Sequence, residues 1–149
     1  HRCKPSKPRK QASRPRNEAP TDAHAPLSAV IRSTVQLSLA TLAFRRLSFV
    51  ELVGAEPPDP KPRPMLDPVT LPRLLAGYRQ ALPWIPFEGE CLQRAFLLRR
   101  LLEWHGVPAD WVFGVRTWPF SAHCWLQIGD CVVGDTVGRV KSYTPIMVV

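Results

Sequence analysis

The sequence has few cysteines, and none are paired as a structural metal site requires. The four cysteines stand at positions 3, 91, 124 and 131, and no two of them form the C-x-x-C spacing typical of zinc sites. The first residues also lack the apolar segment of a secretory signal peptide. We therefore expect no metal site, and we expect free thiols in a reducing cytoplasm rather than disulfides.

Long apolar runs and acidic side chains are also scarce. No uninterrupted apolar run reaches the roughly 18 residues of a membrane-spanning helix, so we expect no membrane span. The chain has 12 Asp and Glu against 20 Lys and Arg, a net charge of +8. Seven of the basic residues lie within residues 1–20, where Glu18 is the only acid. The excess charge therefore belongs to a tail, and it does not indicate a specific nucleic-acid partner.

Residues 1–24 are predicted to be a disordered, proline-rich basic tail or linker. They contain almost no apolar side chain, so burial cannot offset their conformational entropy. The remaining residues, 25–149, are long enough for one domain with its own core. Within that domain, residues 56–68 (EPPDPKPRPMLDP) predict an extended connector, because helix interiors and central strands exclude proline.

The segment 27–52 predicts one or two helices, since its apolar side chains recur mostly three or four positions apart. A stripe with this spacing packs in a core, or it lies on a membrane surface or a partner; we favour the core. The stripe consists of Leu27, Val30, Ile31, Val35, Leu39, Leu42, Leu47 and Val50. A further short helix is predicted from Thr70 to Leu82, before Pro83.

Cys91 begins the next helical pattern, which Gly106 and Pro108 end. In the first turn of a helix, unpaired N–H groups and the positive end of the dipole favour a thiolate and lower its pKa from about 8.5. The same N–H groups can bind an oxyanion. A nucleophilic cysteine and an ordinary buried cysteine both fit this position.

Extended patterns follow over residues 109–118, 122–128 and 131–135, and the turn residues Gly129 and Asp130 predict a hairpin between the last two. Alternation then places His123 and Trp125 on one face of the sheet, with Cys124 on the other.

This hairpin decides whether a catalytic triad can form. A two-residue turn pairs Asp135 with Cys124 and points the carboxylate away from His123. A bulge at Gly134, or a three-residue loop, would bring Asp135 to the imidazole. Asp135 would then orient His123, which would take the proton from Cys91.

Four further residues are tentative substrate-binding candidates. Trp84 lies beside two prolines, and its side chain would line a cleft, donate to an oxyanion or pack in the core. Arg116 would bind a carboxylate of a substrate or support the loop at Pro119. Trp118 and Trp125 would line the cleft or pack in the core.

The segments ECLQRAFLLRRLLEWHGVPADWV and FGVRTWPFSAHCWLQIGDCVVGD, residues 90–135, closely resemble the transglutaminase-like peptidase domain of lasso-peptide B proteins. These bacterial maturation enzymes remove the leader from a ribosomally made precursor. The resemblance covers residues 90–149 well and reaches back loosely to about residue 25. It implies that Cys91 is the nucleophile, His123 the base and Asp135 the orienting acid.

The resemblance also implies the fold and the partners. The fold would be α+β and papain- or transglutaminase-like, with N-terminal helices followed by a catalytic helix packed on an antiparallel sheet. The partners would be a lasso precursor, a leader-binding domain that is fused upstream or separate, and an ATP-dependent cyclase. We see no leader-binding domain in this chain, and we expect the basic tail to be the linker to it.

The function favoured by the resemblance is that of a cysteine endopeptidase in the bacterial cytoplasm. No bound cofactor is expected, and ATP is linked to the maturation pathway. Two alternatives stay open: a transglutaminase-like acyl transferase that uses the same triad, and a non-catalytic module that binds peptide or RNA through the basic tail.

Overall fold

The structure is a computed structural model, and it describes residues 15–19, 24–54, 70–85 and 90–149. The helices in these ranges are α1 (Leu27–Arg46), α2 (Phe49–Gly54), α3 (Thr70–Ala81), α4 (Cys91–Trp104) and α5 (Val137–Val140), with a 3-10 turn at Leu82–Trp84. The strands are β1 (Asn17–Glu18), β2 (Asp110–Thr117), β3 (Phe120–Ile128), β4 (Cys131–Val133) and β5 (Thr144–Val148). The fold is α+β, as predicted.

The strands form one sheet in the order β1-β4-β3-β2-β5. The pairs β4–β3, β3–β2 and β2–β5 are antiparallel, and β1 pairs with β4 in parallel. The predicted hairpin between β3 and β4 is confirmed, with Ile128 opposite Cys131 and a two-residue turn between them. β3 therefore lies in the middle of the sheet, where both of its faces can be covered.

The two faces of the sheet carry different cores. The larger core lies on the face covered by α4, whose side chains pack with Trp111, Cys124 and Leu126. α1 packs on both α3 and α4, and α4 packs on β3. The opposite face carries a smaller cluster that includes Trp125 and Val140. Alternate residues of β3 thus face two different environments.

α1 does not pack through its predicted stripe. Five members of that stripe within α1 are more than half exposed: Leu27, Ile31, Val35, Leu39 and Leu42. The buried face instead carries small or polar residues beside Leu37. Close packing of α1 on α3 explains why the buried face of α1 carries small side chains, because a Cβ on Gly77 of α3 would lie 2.9 Å from Ser33 Oγ. The core prediction for this stripe is wrong, since the helices approach too closely for large side chains.

α1 also bears on the expectation of no membrane span. By length and composition it is long and apolar enough to cross a membrane, although core helices and signal sequences can have the same properties. Only 22 % of its most apolar window is buried inside the protein. Its contacts with α3 and α4 come from the small-residue face.

Part of the predicted tail lies on the sheet. β1 pairs with β4, Ala19 is buried, and Glu18 Oε1 accepts a hydrogen bond of 2.6 Å from the Val137 N–H. Disorder was predicted because the side chains are poorly apolar, whereas main-chain pairing and one carboxylate hold residues 15–19. The rest of the tail and the 56–68 connector lie outside the described residues.

Candidate active site

His123 and Asp135 are directly hydrogen-bonded. His123 Nε2 lies 2.6 Å from Asp135 Oδ2. An ionised carboxylate only accepts hydrogen bonds, so Nε2 carries the hydrogen and the neutral ring keeps its lone pair on Nδ1. The imidazole is therefore held in the tautomer that can take a proton at Nδ1.

The environment of Asp135 favours its ionised form. Burial raises the pKa of this carboxyl, but the hydrogen bonds from His123 and from the Thr136 N–H, together with the electrostatic attraction of His123 and Arg139, outweigh burial. The Thr136 N–H donates to Oδ1 over 2.7 Å. The net result is a pKa below the usual value, so Asp135 is a carboxylate at neutral pH.

Gly134 brings Asp135 to the face of His123. The hairpin keeps its two-residue turn, so neither of the two predicted register corrections occurs; instead, β4 ends at Val133. Gly134 follows with a φ of 76°, a conformation that glycine adopts without strain. This turn breaks the alternation and redirects the next side chain. A Cβ at this position would lie 2.4 Å from Leu98 Cδ2 of α4, so space as well as conformation requires glycine.

His123 lies between two aromatic rings. Its centroid is 6.1 Å from that of Trp125, with an interplanar angle of 27°, and 5.1 Å from that of Tyr143, with an angle of 39°. The Arg116 guanidinium lies over Tyr143, 5.5 Å from the ring centroid. These four side chains form one stack, which restricts rotation of the imidazole. Tyr143 was missed in the sequence because only the tertiary fold brings it beside β3.

Gly114, in the GVRT segment, makes room for this stack. It pairs with His123 across β2 and β3. A Cβ on Gly114 would lie 2.9 Å from the Trp125 ring and 3.1 Å from the Thr144 carbonyl oxygen. A side chain here would displace the indole on which His123 stacks.

Cys91 is the first residue of α4 and a half-buried free thiol. The N-cap residue, Glu90, makes no side-chain hydrogen bond to the first turn. Burial raises the pKa of Cys124 of β3 to about 12, and the neighbouring Cys91 is the next largest cause. The sulfur of Cys91 therefore lies close to that of Cys124. Cys124 is therefore a protonated thiol beside Cys91, a neighbour that the sequence did not indicate.

The described residues contain the histidine–aspartate pair but no hydrogen bond between Cys91 and His123. Cys91 approaches β3 at Cys124, on the α4 face, whereas the imidazole stacks on the opposite face with Trp125. The structure thus pairs His123 with Asp135 and places Cys91 beside Cys124, the neighbouring residue of β3, but it does not join Cys91 to His123. In many enzymes the hydrogen bond between the nucleophile and its base tightens only when substrate is bound.

The four tentative substrate-binding residues occupy different environments. Trp84 and Trp118 are 76 % and 88 % exposed, on the 3-10 turn and on the β2–β3 turn respectively. Arg116 donates to the Pro119 carbonyl oxygen over 3.3 Å, so it does contact the loop. Trp125 is only 2 % exposed and stacks on His123, so it packs in the core and does not line an open cleft.

The remaining cysteines bear on metal and redox chemistry. Within the described residues, no group of three or more His, Cys, Asp or Glu side chains could hold a metal ion. Cys91 and Cys124 are free thiols, whereas Cys131 is disulfide-bonded, so the prediction of free thiols is wrong at Cys131. Cys3 lies outside the described residues.

Comparisons with known proteins identify the family to which the chain is similar. The family model described as the transglutaminase-like superfamily matches residues 29–148. The Microcin J25-processing protein McjB of Escherichia coli is 39 % identical over 49 residues, which cover 33 % of this chain and 24 % of the relative. The matched segment thus spans about a quarter of that protein's length. No solved structure matches the chain significantly.

Proposed function

The chain belongs to the transglutaminase-like superfamily, and from this premise we propose that it is a cysteine endopeptidase that removes the leader of a lasso-peptide precursor. The 2.6 Å hydrogen bond between His123 and Asp135 carries the proposal. It fixes an imidazole with a free Nδ1 on the strand against which α4, the helix that begins with Cys91, packs. The segment shared with a microcin-processing protein supports a peptide substrate.

In the proposed reaction, the Cys91 thiolate attacks the carbonyl carbon at the junction of leader and core. His123 Nδ1 holds the thiol proton and passes it to the departing amine of the core. The leader remains as a thioester on Cys91. Water, deprotonated by His123, then attacks the thioester and releases the leader as a carboxylic acid, and Cys91 regains its proton.

Asp135 and the start of α4 assist both steps. The carboxylate keeps the Nε2 hydrogen in place and stabilises the imidazolium that forms after proton transfer. N–H groups in the first turn of α4 stabilise the oxyanion of the tetrahedral intermediate. Arg116 and the exposed Trp118 lie along the β2–β3 hairpin that carries His123, and we propose that they contact the precursor.

The wider setting is also part of the proposal. A leader-binding domain, fused upstream or separate, would deliver the precursor, and an ATP-dependent cyclase would use the released amine. Cleavage itself would need no bound cofactor, since the reaction requires only a thiol, an imidazole and water. A bacterial cytoplasm would supply both precursor and cyclase.

Mass spectrometry of a lasso precursor, incubated with the protein and a leader-binding domain, tests this function. We expect cleavage at one junction, its loss in Cys91→Ala, and its retention in the matched variant Cys124→Ala. An intact precursor in the presence of wild-type protein and bound leader-binding domain would refute the peptidase. Adding a primary amine distinguishes hydrolysis, which gives a free acid, from acyl transfer, which gives an amide.

A further inference from the structure

One apolar face of α1 is left uncovered within the described residues. Its exposed stripe consists of Leu27, Ile31, Val35, Leu39 and Leu42, which are between 55 % and 75 % exposed. These residues recur three or four positions apart, so they lie along one side of the helix. From Leu27 to Leu42 the stripe is about 23 Å long. Contiguous apolar patches on a protein surface mark sites that bind a protein or a membrane.

Basic side chains flank the exposed stripe. At roughly 100° per residue, Arg32 lies at one edge of the stripe and Arg45 at the other, and Arg46 continues it at the end of the helix. All three are exposed, and α1 contains no acidic residue. The single acid between residues 24 and 54 is Glu51 of α2, whose carboxylate accepts hydrogen bonds from Ser48. The potential over this face is therefore positive, and the complementary surface is anionic.

The hydroxyl groups beside the stripe have their partners inside the helix. Ser38 Oγ donates to the Thr34 carbonyl oxygen over 2.8 Å, and Thr34 Oγ1 donates to the Val30 carbonyl oxygen over 2.9 Å. The stripe itself is wholly aliphatic. Protein interfaces carry about one hydrogen bond per 100–200 Å² and are anchored by Trp, Tyr and Arg in their centres. Lipid acyl chains require neither, so they fit this stripe better than a protein surface does.

A second copy of the chain is also a poorer occupant. In a twofold-symmetric pairing, each stripe would meet the same stripe of the other copy. The basic flanks of both helices would then lie together, and α1 has no carboxylate to pair with them. Like charges that approach in this way oppose association.

α1 cannot cross a bilayer while the fold stays intact. It is long and apolar enough to do so, but its opposite face, which includes Ser33, Leu37 and Thr41, is buried, and the helix packs on α3 and α4. Only one side of α1 can therefore enter an apolar medium. A helix of this kind lies in the plane of the membrane, with its apolar side at the boundary between headgroups and acyl chains.

We propose that α1 binds the protein to an anionic membrane surface, with the exposed stripe inserted below the headgroups and Arg32, Arg45 and Arg46 at the lipid phosphates. Arginine suits the edges of the stripe, because its stem covers apolar surface while the guanidinium reaches the headgroups. Each such charge adds attraction to an anionic leaflet. The stripe shares no residue with the site around His123, so membrane binding and the proposed peptidase activity can be tested separately.

Flotation of the whole chain with lipid vesicles tests this surface. We expect the protein to float with vesicles of equal parts phosphatidylglycerol and phosphatidylcholine, and far less with phosphatidylcholine alone. The triple variant Ile31→Gln/Val35→Gln/Leu39→Gln should weaken partitioning about tenfold or more, and Arg32→Gln about fivefold.

Two matched controls should bind as wild type does. Ile146→Gln changes an isoleucine that is 65 % exposed on β5, and Lys141→Gln removes an exposed positive charge outside α1. All the substituted residues are exposed, so circular dichroism should show the same folded state in every variant.

Absence of flotation, or equal flotation of wild type and the triple variant, would overturn the proposal. Equal flotation that is lost when the salt concentration is raised would assign binding to the basic tail instead. Sedimentation velocity without lipid tests the second copy as occupant. A dimer that the triple variant abolishes would overturn membrane binding in favour of self-association.

Discussion

His123 and Asp135 form a 2.6 Å hydrogen bond although they would point to opposite faces of the sheet if β4 continued through residue 135. Gly134 removes the conflict by turning the chain at a φ of 76°. The orientation of the proposed base thus depends on a residue that has no side chain.

Asp135→Asn should lower kcat by a factor on the order of 10³, with little change in KM. An amide can donate to the histidine as well as accept, so the imidazole loses the constraint that keeps its hydrogen on Nε2. Steady-state kinetics of precursor cleavage would measure the loss. Asp130→Asn is the control, and an equal loss in both variants would argue against an orienting role for Asp135.

The same carboxylate should make folding stability depend on pH. Its pKa in the folded protein is lowered, so its stabilising contribution is complete above the unfolded value of about 3.9 and is lost as pH falls through the folded value. Thermal unfolding of wild type and Asp135→Asn between pH 7 and pH 2 should therefore show a Tm difference that shrinks below about pH 4. A difference independent of pH would contradict the lowered pKa.

Tyr143→Leu should reduce kcat roughly three- to tenfold, because an aromatic pair contributes about 0.5–1.5 kcal/mol beyond its buried area. Tyr143→Phe should retain most activity, since stacking on His123 needs the ring and the hydroxyl makes only a 3.4 Å contact with Ser121. Kinetics combined with the imidazole N–H resonance in proton NMR would separate positioning from folding. Loss of activity without any change in that resonance would exclude a positioning role.

Gly134→Ala should destabilise the fold and displace Asp135. The positive φ alone costs roughly 1–2 kcal/mol for a residue with a Cβ, and the contact with Leu98 adds to it. Two control variants separate the cost of the positive φ from the cost of the contact with Leu98. Gly106 has a φ of 69° and open space around it, and Gly138 has open space without a positive φ. Chemical denaturation should rank the alanine variants Gly134, Gly106, Gly138 from most to least destabilised, and an equal effect at all three would refute this explanation.

Alkylation should distinguish the two free thiols. Burial keeps Cys124 protonated to a pKa of about 12, and only the thiolate reacts readily. Iodoacetamide at pH 8 followed by peptide mapping should therefore label Cys91 well before Cys124. Preferential labelling of Cys124 in the folded protein would contradict the structure.

Local patterns in the sequence determined much of this protein. Residue spacing and turn chemistry predict three of its features: the helix that starts at Cys91, the turn at Gly129 and Asp130, and the alternation that separates His123 from Cys124. These features depend on neighbours a few positions apart, so the sequence contains them directly. The importance of Gly134 was also visible, although the chain turns there by ending β4 and not by a bulge.

Only the tertiary structure decided which surfaces meet. Helical periodicity identified the stripe of α1 but not its direction, because close packing against Gly77 selected the face that carries Ser33. The same kind of long-range contact placed Tyr143 beside His123, Cys124 beside Cys91, and β1 beside β4. Each of these contacts joins residues far apart in the chain, and their geometry depends on the whole packed core, which no local pattern specifies.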